Sequence, residues 1–202
     1  MANPTGAFGL KPIRMADGTP WNGAVEKCYI SSSYGTALYV GTPVLLSPTA
    51  AEKDTTGHAQ TVNIAVVDSG IWYGVIVGFE PNPDNLSQLY NPASTERYCY
   101  VAKGPDVVYL IRGDGAAALT KLVPGQNAAA VATSAGSTTT GLSGWHLDEG
   151  TGTAPTTTQT LPMTILRVYD DPQNELGANM LYEVRLTTQR LAAGDTLGIT
   201  AA

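Results

Sequence analysis

Two histidines, His58 and His146, and two cysteines, Cys28 and Cys99, are the whole imidazole and thiol supply of this sequence. Acid–base and nucleophilic catalysis at neutral pH usually draw on such groups held against a partner. Neither histidine has one at a useful spacing. His58 lies in the polar, threonine-rich run Ala50–Gln60 and reads as solvated; His146, beside Trp145, reads as packed with one ring nitrogen bonded. Two histidines and two cysteines in dissimilar contexts make a poor zinc set. Gly141-Leu142-Ser143-Gly144-Trp145 approaches the nucleophile elbow G-x-S-x-G but fails at its last position. Gly113-Asp114-Gly115-Ala116-Ala117-Ala118 matches G-x-G-x-x-A on paper, yet Pro124-Gly125 would stop the following helix within about two turns, and no acid follows to hold a ribose. The same stretch spells Arg112-Gly113-Asp114, three common turn residues. Asp170, Asp171, Asn174 and Glu175 are hard oxygen donors that could hold calcium, but they lack the glycine-bearing spacing of a calcium loop and read as a solvated acidic tip. Nothing pairs carboxylates for glycoside hydrolysis. The expectation is a protein without catalytic residues, metal or cofactor.

Composition narrows the partners. Only 14% of residues are charged, against roughly 25% in ordinary globular chains, and Gly 22 and Pro 13 supply turns between many short strands. The 17 acids, 11 bases and lack of a basic cluster argue against a free nucleic-acid surface, since phosphate contacts need grouped Lys or Arg. No apolar run nears the roughly 20 residues of a membrane span, and Met1–Arg14 has no signal-peptide pattern, so synthesis in a cytosol is expected. In that compartment Cys28 and Cys99, both flanked by tyrosine, read as two buried thiols in strands rather than as a bridge.

The elements that must position any site are strands. Leu161–Leu186 is the clearest: Met180, Tyr182, Val184 and Leu186 alternate with Leu181, Glu183, Arg185 and Thr187, the pattern of a half-buried strand. Met163–Tyr169 is apolar on both faces and predicts a strand covered on both sides, and Asp170–Gly177 predicts the acidic tip of a hairpin. Further strands are expected at Val25–Ile30, Leu38–Leu46, Val62–Val66, Ile71–Phe79, Tyr98–Val101 and Val107–Arg112. In Ile71–Phe79, Gly74 and Gly78 share a face, which points to a bulge or another backbone passing close, as in a closed or strongly curved sheet. Glu80–Arg97, with three prolines, predicts an ordered loop of the functional kind. Residues 122–164 hold only Asp148 and Glu149 as charges and predict extended, partly paired chain wrapped on a surface. The fold class is therefore all-β: a single β-barrel or β-sandwich-like core over 21–190, with long loop excursions, a loose tail over 191–202 and an extended N-terminal arm over 1–20. That arm shows no strand or helix period, yet carries Phe8, Leu10 and Ile13 and ends at Trp21. It is either a frayed terminus or an arm that orders on a neighbour.

Asn3-Pro4-Thr5-Gly6-Ala7-Phe8-Gly9-Leu10-Lys11-Pro12-Ile13, Leu38-Tyr39-Val40-Gly41-Thr42-Pro43-Val44, the central Tyr98–Gly115 and Leu161–Arg185 together resemble a set of tailed-bacteriophage virion proteins encoded close to the major capsid protein. The likeness runs from about Gly6 to Arg190. It implies a capsid decoration, or cement, protein: a homotrimer over local three-fold positions on the outer surface of the capsid, clamping capsomers of the major capsid protein. On that reading Phe8, Leu10, Ile13 and Trp21 meet the capsid or a neighbouring subunit. Two other readings compete, a receptor- or carbohydrate-binding module of a phage tail fibre or spike, and a lyase or hydrolase of surface polysaccharide. Sparse aromatics and the lack of short repeats weigh against the first, and the lack of an acid/base pair against the second.

Overall fold

Runs of β-branched and aromatic residues, cut short by glycine, proline and asparagine, pair into twelve strands in a computed structural model that describes residues 3–49, 52–67, 71–117, 119, 123–157 and 161–187. No α-helix occurs among the described residues. The expected turn at Asp68-Ser69-Gly70, Leu122 at the start of the low-charge segment, and the tail over 191–202 lie outside them.

Five strands close a barrel: β2 (Glu26–Ile30), β4 (Gln60–Ile64), β3 (Pro43–Leu46), β5 (Gly74–Phe79) and β6 (Arg97–Ala102), in that order around it. Only the β2–β4 contact is parallel. Inside sit Cys28, Ile30, Val44, Val62, Tyr73, Ile76, Cys99 and Val101. The expectations for Gly74 and Gly78 both hold. A Cβ on Gly74 would lie 2.4 Å from the Ala102 carbonyl oxygen, and the β5–β6 register shifts between Ile76 and Gly78. The face assignment within Ile71–Phe79 is corrected as well: Tyr73 and Ile76 join the barrel interior while Trp72 and Val75 join a second core, so the alternation breaks at Gly74. Cys28 and Cys99 are directly opposed across β2 and β6, free and fully buried. Burial pushes the Cys28 thiol up to about 12.

The second core lies between the barrel and a sheet of order β1 (Lys11–Met15), β7 (Val107–Arg112), β12 (Leu181–Leu186), β11 (Met163–Val168), β8 (Asn127–Ala128). It gathers Trp72 and Val75 from the barrel, Tyr109 and Ile111 from β7, and Met180, Tyr182, Val184 and Leu186 from the β12 segment, so the alternation read in the sequence is the core pattern. Trp72 meets Trp145 edge-on, ring centroids 5.8 Å apart. β11 departs from expectation: Met163 and Ile165 are buried, but Thr164, Leu166 and Val168 are only half-covered and Arg167 is exposed, so one face, not both, is packed.

Residues 122–164 are extended and partly paired as expected, but they are not only a surface wrap. They contribute β8, β9 (Ala130–Gly136) and β10 (Ser143–Leu147), and all five residues of β10 are buried, with Trp145 and Leu147 in the second core. Charge is scarce there because part of the segment is core. Its small side chains let backbones meet, and a Cβ on Gly144 would strike Ser134.

The N-terminal segment is also built in. Lys11–Met15 pairs antiparallel with β7, with a register shift between Pro12 and Arg14 that hides any period in the sequence. Leu10 is 1% exposed in the second core. The Asn3 amide donates to the carbonyls of Glu175 and Ala178 and accepts from the Glu175 N–H, tying this segment to the hairpin tip. The apolar residues of the segment order on their own chain, which supplies the sheet and core that the segment lacks by itself.

Glu183 was expected on the wet face of β12, yet it is 1% exposed. Arg14 Nε (3.0 Å) and Arg167 Nη2 (2.7 Å) donate to its two carboxylate oxygens, a clamp across β1, β12 and β11. Burial pulls its carboxyl up, but the hydrogen bonds from Arg167 and Arg14 outweigh that and hold it below its ordinary value. Both arginines keep contact with water, so Glu183→Gln is expected to cost only about 1–2 kcal/mol in urea unfolding at pH 7. A lowered folded value means the stabilisation is full above the unfolded carboxyl value of about 4.5 and is lost as pH falls through the folded one, so the gap between variant and wild type closes in acid.

Candidate functional site

The outer face of β7 and β12 is apolar near one end, where Leu110, Arg112 and Leu181 point away from the second core. Around it the N-terminal segment lays Phe8, Leu10 and Pro12, the turn after β1 adds Trp21, and the barrel side adds Val40, Ile76 and Val77. Leu142, 36% exposed, completes the lining of a groove of about 580 Å³. Of the four residues read as a partner surface, Phe8, Leu10 and Trp21 meet here, while Ile13 on β1 lies outside the lining. Leu10 forms floor rather than free surface, because it is spent on its own core.

The backbone that shapes the groove hinges on Gly41. This residue takes φ +89°, and a Cβ there would lie 2.3 Å from the Phe8 carbonyl oxygen. Its N–H donates to Ile76 and its carbonyl accepts from Leu10, while Val40 bridges to Leu142. One short stretch thus joins the N-terminal segment, barrel and β9–β10 hairpin. It also breaks the expected strand Leu38–Leu46, of which only Pro43–Leu46 forms.

Among the described residues two charges line the groove, Lys11 and Arg112, and no carboxylate does. Arg112 is held in place: Nη1 donates to the Pro4 carbonyl and the guanidinium stands 5.7 Å from the Phe8 ring centroid. Its Nε and the indole Nε1 of Trp21 are buried without a hydrogen-bond partner among the described residues. Burial lowers the guanidinium's proton affinity from its ordinary value.

A second, polar cleft of about 500 Å³ opens at the far side of the barrel, between the turn after Asp54 and the loop Glu80–Arg97. Tyr29 and Tyr98, ring centroids 5.6 Å apart, sit among Asp54, Glu80, Asp84 and Glu96. Arg97 is spent on the loop itself, donating to the carbonyls of Glu80 and Tyr90. The loop is ordered as expected and presents Leu86 and Leu89 outward, 78% and 50% exposed.

Compared with protein-family models, curated proteins and solved structures, the chain matches none.

The remaining candidates fall into structural roles. His58 is exposed; His146 is buried, its Nδ1 3.1 Å from Thr133 Oγ1, and burial lowers its pKa. Asn174 is spent on the hairpin, donating to Tyr169 and Leu181 carbonyls and accepting from the Leu181 N–H. Among the described residues no three His, Cys, Asp or Glu groups come together as a metal set. The dinucleotide-like Gly113–Gly115 turn instead holds the Glu149 carboxylate, which accepts from Tyr182 Oη (2.7 Å), the Gly115 N–H (2.7 Å) and the Asn179 N–H (3.3 Å). Gly113 has no room for a side chain there, since its Cβ would lie 2.1 Å from Glu149 Oε1. Sequence reading missed Leu142, Leu181, Val77 and Arg112 as groove residues, because each is an ordinary strand or turn residue locally.

Proposed function

We propose that this chain is a structural virion protein that binds the outer surface of a phage capsid as a trimer and stabilises contacts between capsomers of the major capsid protein. The observation that carries the reading is the groove: an apolar surface built from the N-terminal segment, the barrel and the sheet, on a protein whose buried His146, Glu149 and Glu183 are tied into the fold. The sequence likeness to virion proteins supports it, as does a fold that spends its buried acids on turns and on one clamp between strands. A shell protein needs adhesion, not turnover. Each fully buried leucine or phenylalanine contributes roughly 1.5–3 kcal/mol, and three copies in fixed geometry add avidity. The site of action is then the virion surface, after synthesis in the host cytoplasm.

Co-sedimentation with preformed shells tests it. Deleting residues 1–20 would remove β1 and Leu10 and unfold the sheet, so the informative variant is Leu142→Asp at the partly exposed rim. Wild type is expected to pellet with shells and Leu142→Asp to lose most of that binding with an unchanged circular dichroism spectrum. Equal pelleting would remove the groove from the capsid contact.

The polar cleft favours a second reading, a receptor- or carbohydrate-binding module of a tail fibre or spike, because tyrosine faces beside carboxylates suit sugar rings and hydroxyls. Glycan-array binding that is lost in Tyr98→Ala would favour that reading over the shell.

A further inference from the structure

We propose that the groove is a docking site for an extended, apolar peptide segment of a partner polypeptide that carries one carboxylate. The inference deepens the capsid reading and rests on it only in taking the groove as a contact surface. Three features point to this occupant. The lining is apolar except for Lys11 and Arg112, so the only charges are basic in a chain of net charge −6, and an acidic group is the complement. Trp21 Nε1 and Arg112 Nε are buried donors with no acceptor among the described residues, a deficit that an incoming segment can fill by displacing the atoms that cover them. Arg112 is fixed before anything binds, by Pro4 and the Phe8 ring, so little freedom is lost when an acceptor arrives. Tryptophan and arginine are also the side chains on which binding energy concentrates at protein interfaces.

A peptide fits these demands better than a free fatty acid does. The two unpartnered donors sit on different elements, Trp21 after β1 and Arg112 at the end of β7. A fatty acid brings one polar head to them. An extended peptide brings a side-chain carboxylate for Arg112 and Lys11, a backbone carbonyl for Trp21, and alternate apolar side chains for Phe8, Val77 and Leu142. The volume of about 580 Å³ lies within the roughly 300–1,000 Å³ of ligand-binding pockets.

The test is selection from a yeast-displayed library of random octapeptides against the full chain, with counter-selection against Leu142→Asp. The expected result is enrichment of peptides with alternating apolar residues and at least one Asp or Glu. For the best of them, replacing that acid by its amide is expected to weaken binding to wild type about tenfold, and to leave binding to Arg112→Gln nearly unchanged, as a double-mutant cycle requires for a direct contact. If Arg112→Gln disturbs the N-terminal segment, Lys11→Gln supplies the same cycle from the other charge. Enrichment of basic or uniformly polar peptides, no enrichment at all, or dodecanoate binding more tightly than any selected peptide would overturn the proposal. Shell binding is read separately: shells that bind while no peptide is enriched sink the docking chemistry and leave the capsid reading standing, and enriched acidic peptides without shell binding do the reverse.

Discussion

Gly41→Ala is expected to lower the stability of the folded chain by about 4 kcal/mol. Two costs add. At φ +89° an L side chain pays roughly 1–2 kcal/mol for the left-handed backbone. The new Cβ also collides with the Phe8 carbonyl oxygen, a backbone atom that cannot swing aside, and overpacking of this kind costs roughly 1–3 kcal/mol more. Relief requires the N-terminal segment to lift, breaking the Leu10–Gly41 hydrogen bond and exposing Leu10. Hydrogen exchange should therefore show lost protection at Leu10 and along β1 before the barrel strands. Gly18→Ala is the control, because Gly18 has φ +91° but open space around it; it is expected to cost about 1–2 kcal/mol and to leave β1 protected. Equal losses in the two variants would mean that the close approach of Gly41 to Phe8 does not matter.

The second large effect is expected at Glu149. Glu149→Ala strands the Tyr182 hydroxyl and two backbone N–H groups in the interior, at about 1 kcal/mol each, for a loss of about 3 kcal/mol in urea unfolding. Glu149→Gln keeps the shape and an acceptor oxygen and is expected to cost about 1 kcal/mol. Burial holds the Glu149 carboxyl above its ordinary value, although the hydrogen bonds from Tyr182, Gly115 and Asn179 pull it back part of the way. With a raised folded value, the contribution is fully present below the unfolded value of about 4.5 and is lost as pH rises through the folded one. The advantage of wild type over Glu149→Gln should therefore be larger at pH 4 than at pH 7, opposite in sign to the behaviour at Glu183. An advantage that shrinks toward pH 4 would contradict this account of the turn.

How far the sequence could be read depended on whether a signal was local. The β12 alternation of Met180, Tyr182, Val184 and Leu186 is written in adjacent residues and faces the core as expected. The glycine pair at 74 and 78 announced a passing backbone and a bulge. β1 was invisible because Pro12 and a register shift erase its period, and its partner β7 lies about a hundred residues away in the chain. Glu183 looked wet because its two arginines come from β1 and β11. In residues 122–164, scarce charge was read as surface chain, whereas Trp145 and Leu147 pack in the core and small residues beside them allow it. The groove was legible only at Phe8, Leu10 and Trp21, apolar residues in a segment with no period of its own. Its other walls are ordinary strand residues that tertiary folding alone brings together.

The proposal that the chain is a shell component is tested most directly by its copy number in finished particles. Quantitative mass spectrometry of purified virions, referenced to the major capsid protein, is expected to find it in hundreds of copies per particle, in a ratio fixed by the lattice. A few dozen copies or fewer would place it on the tail, and its absence from full heads would contradict the account outright.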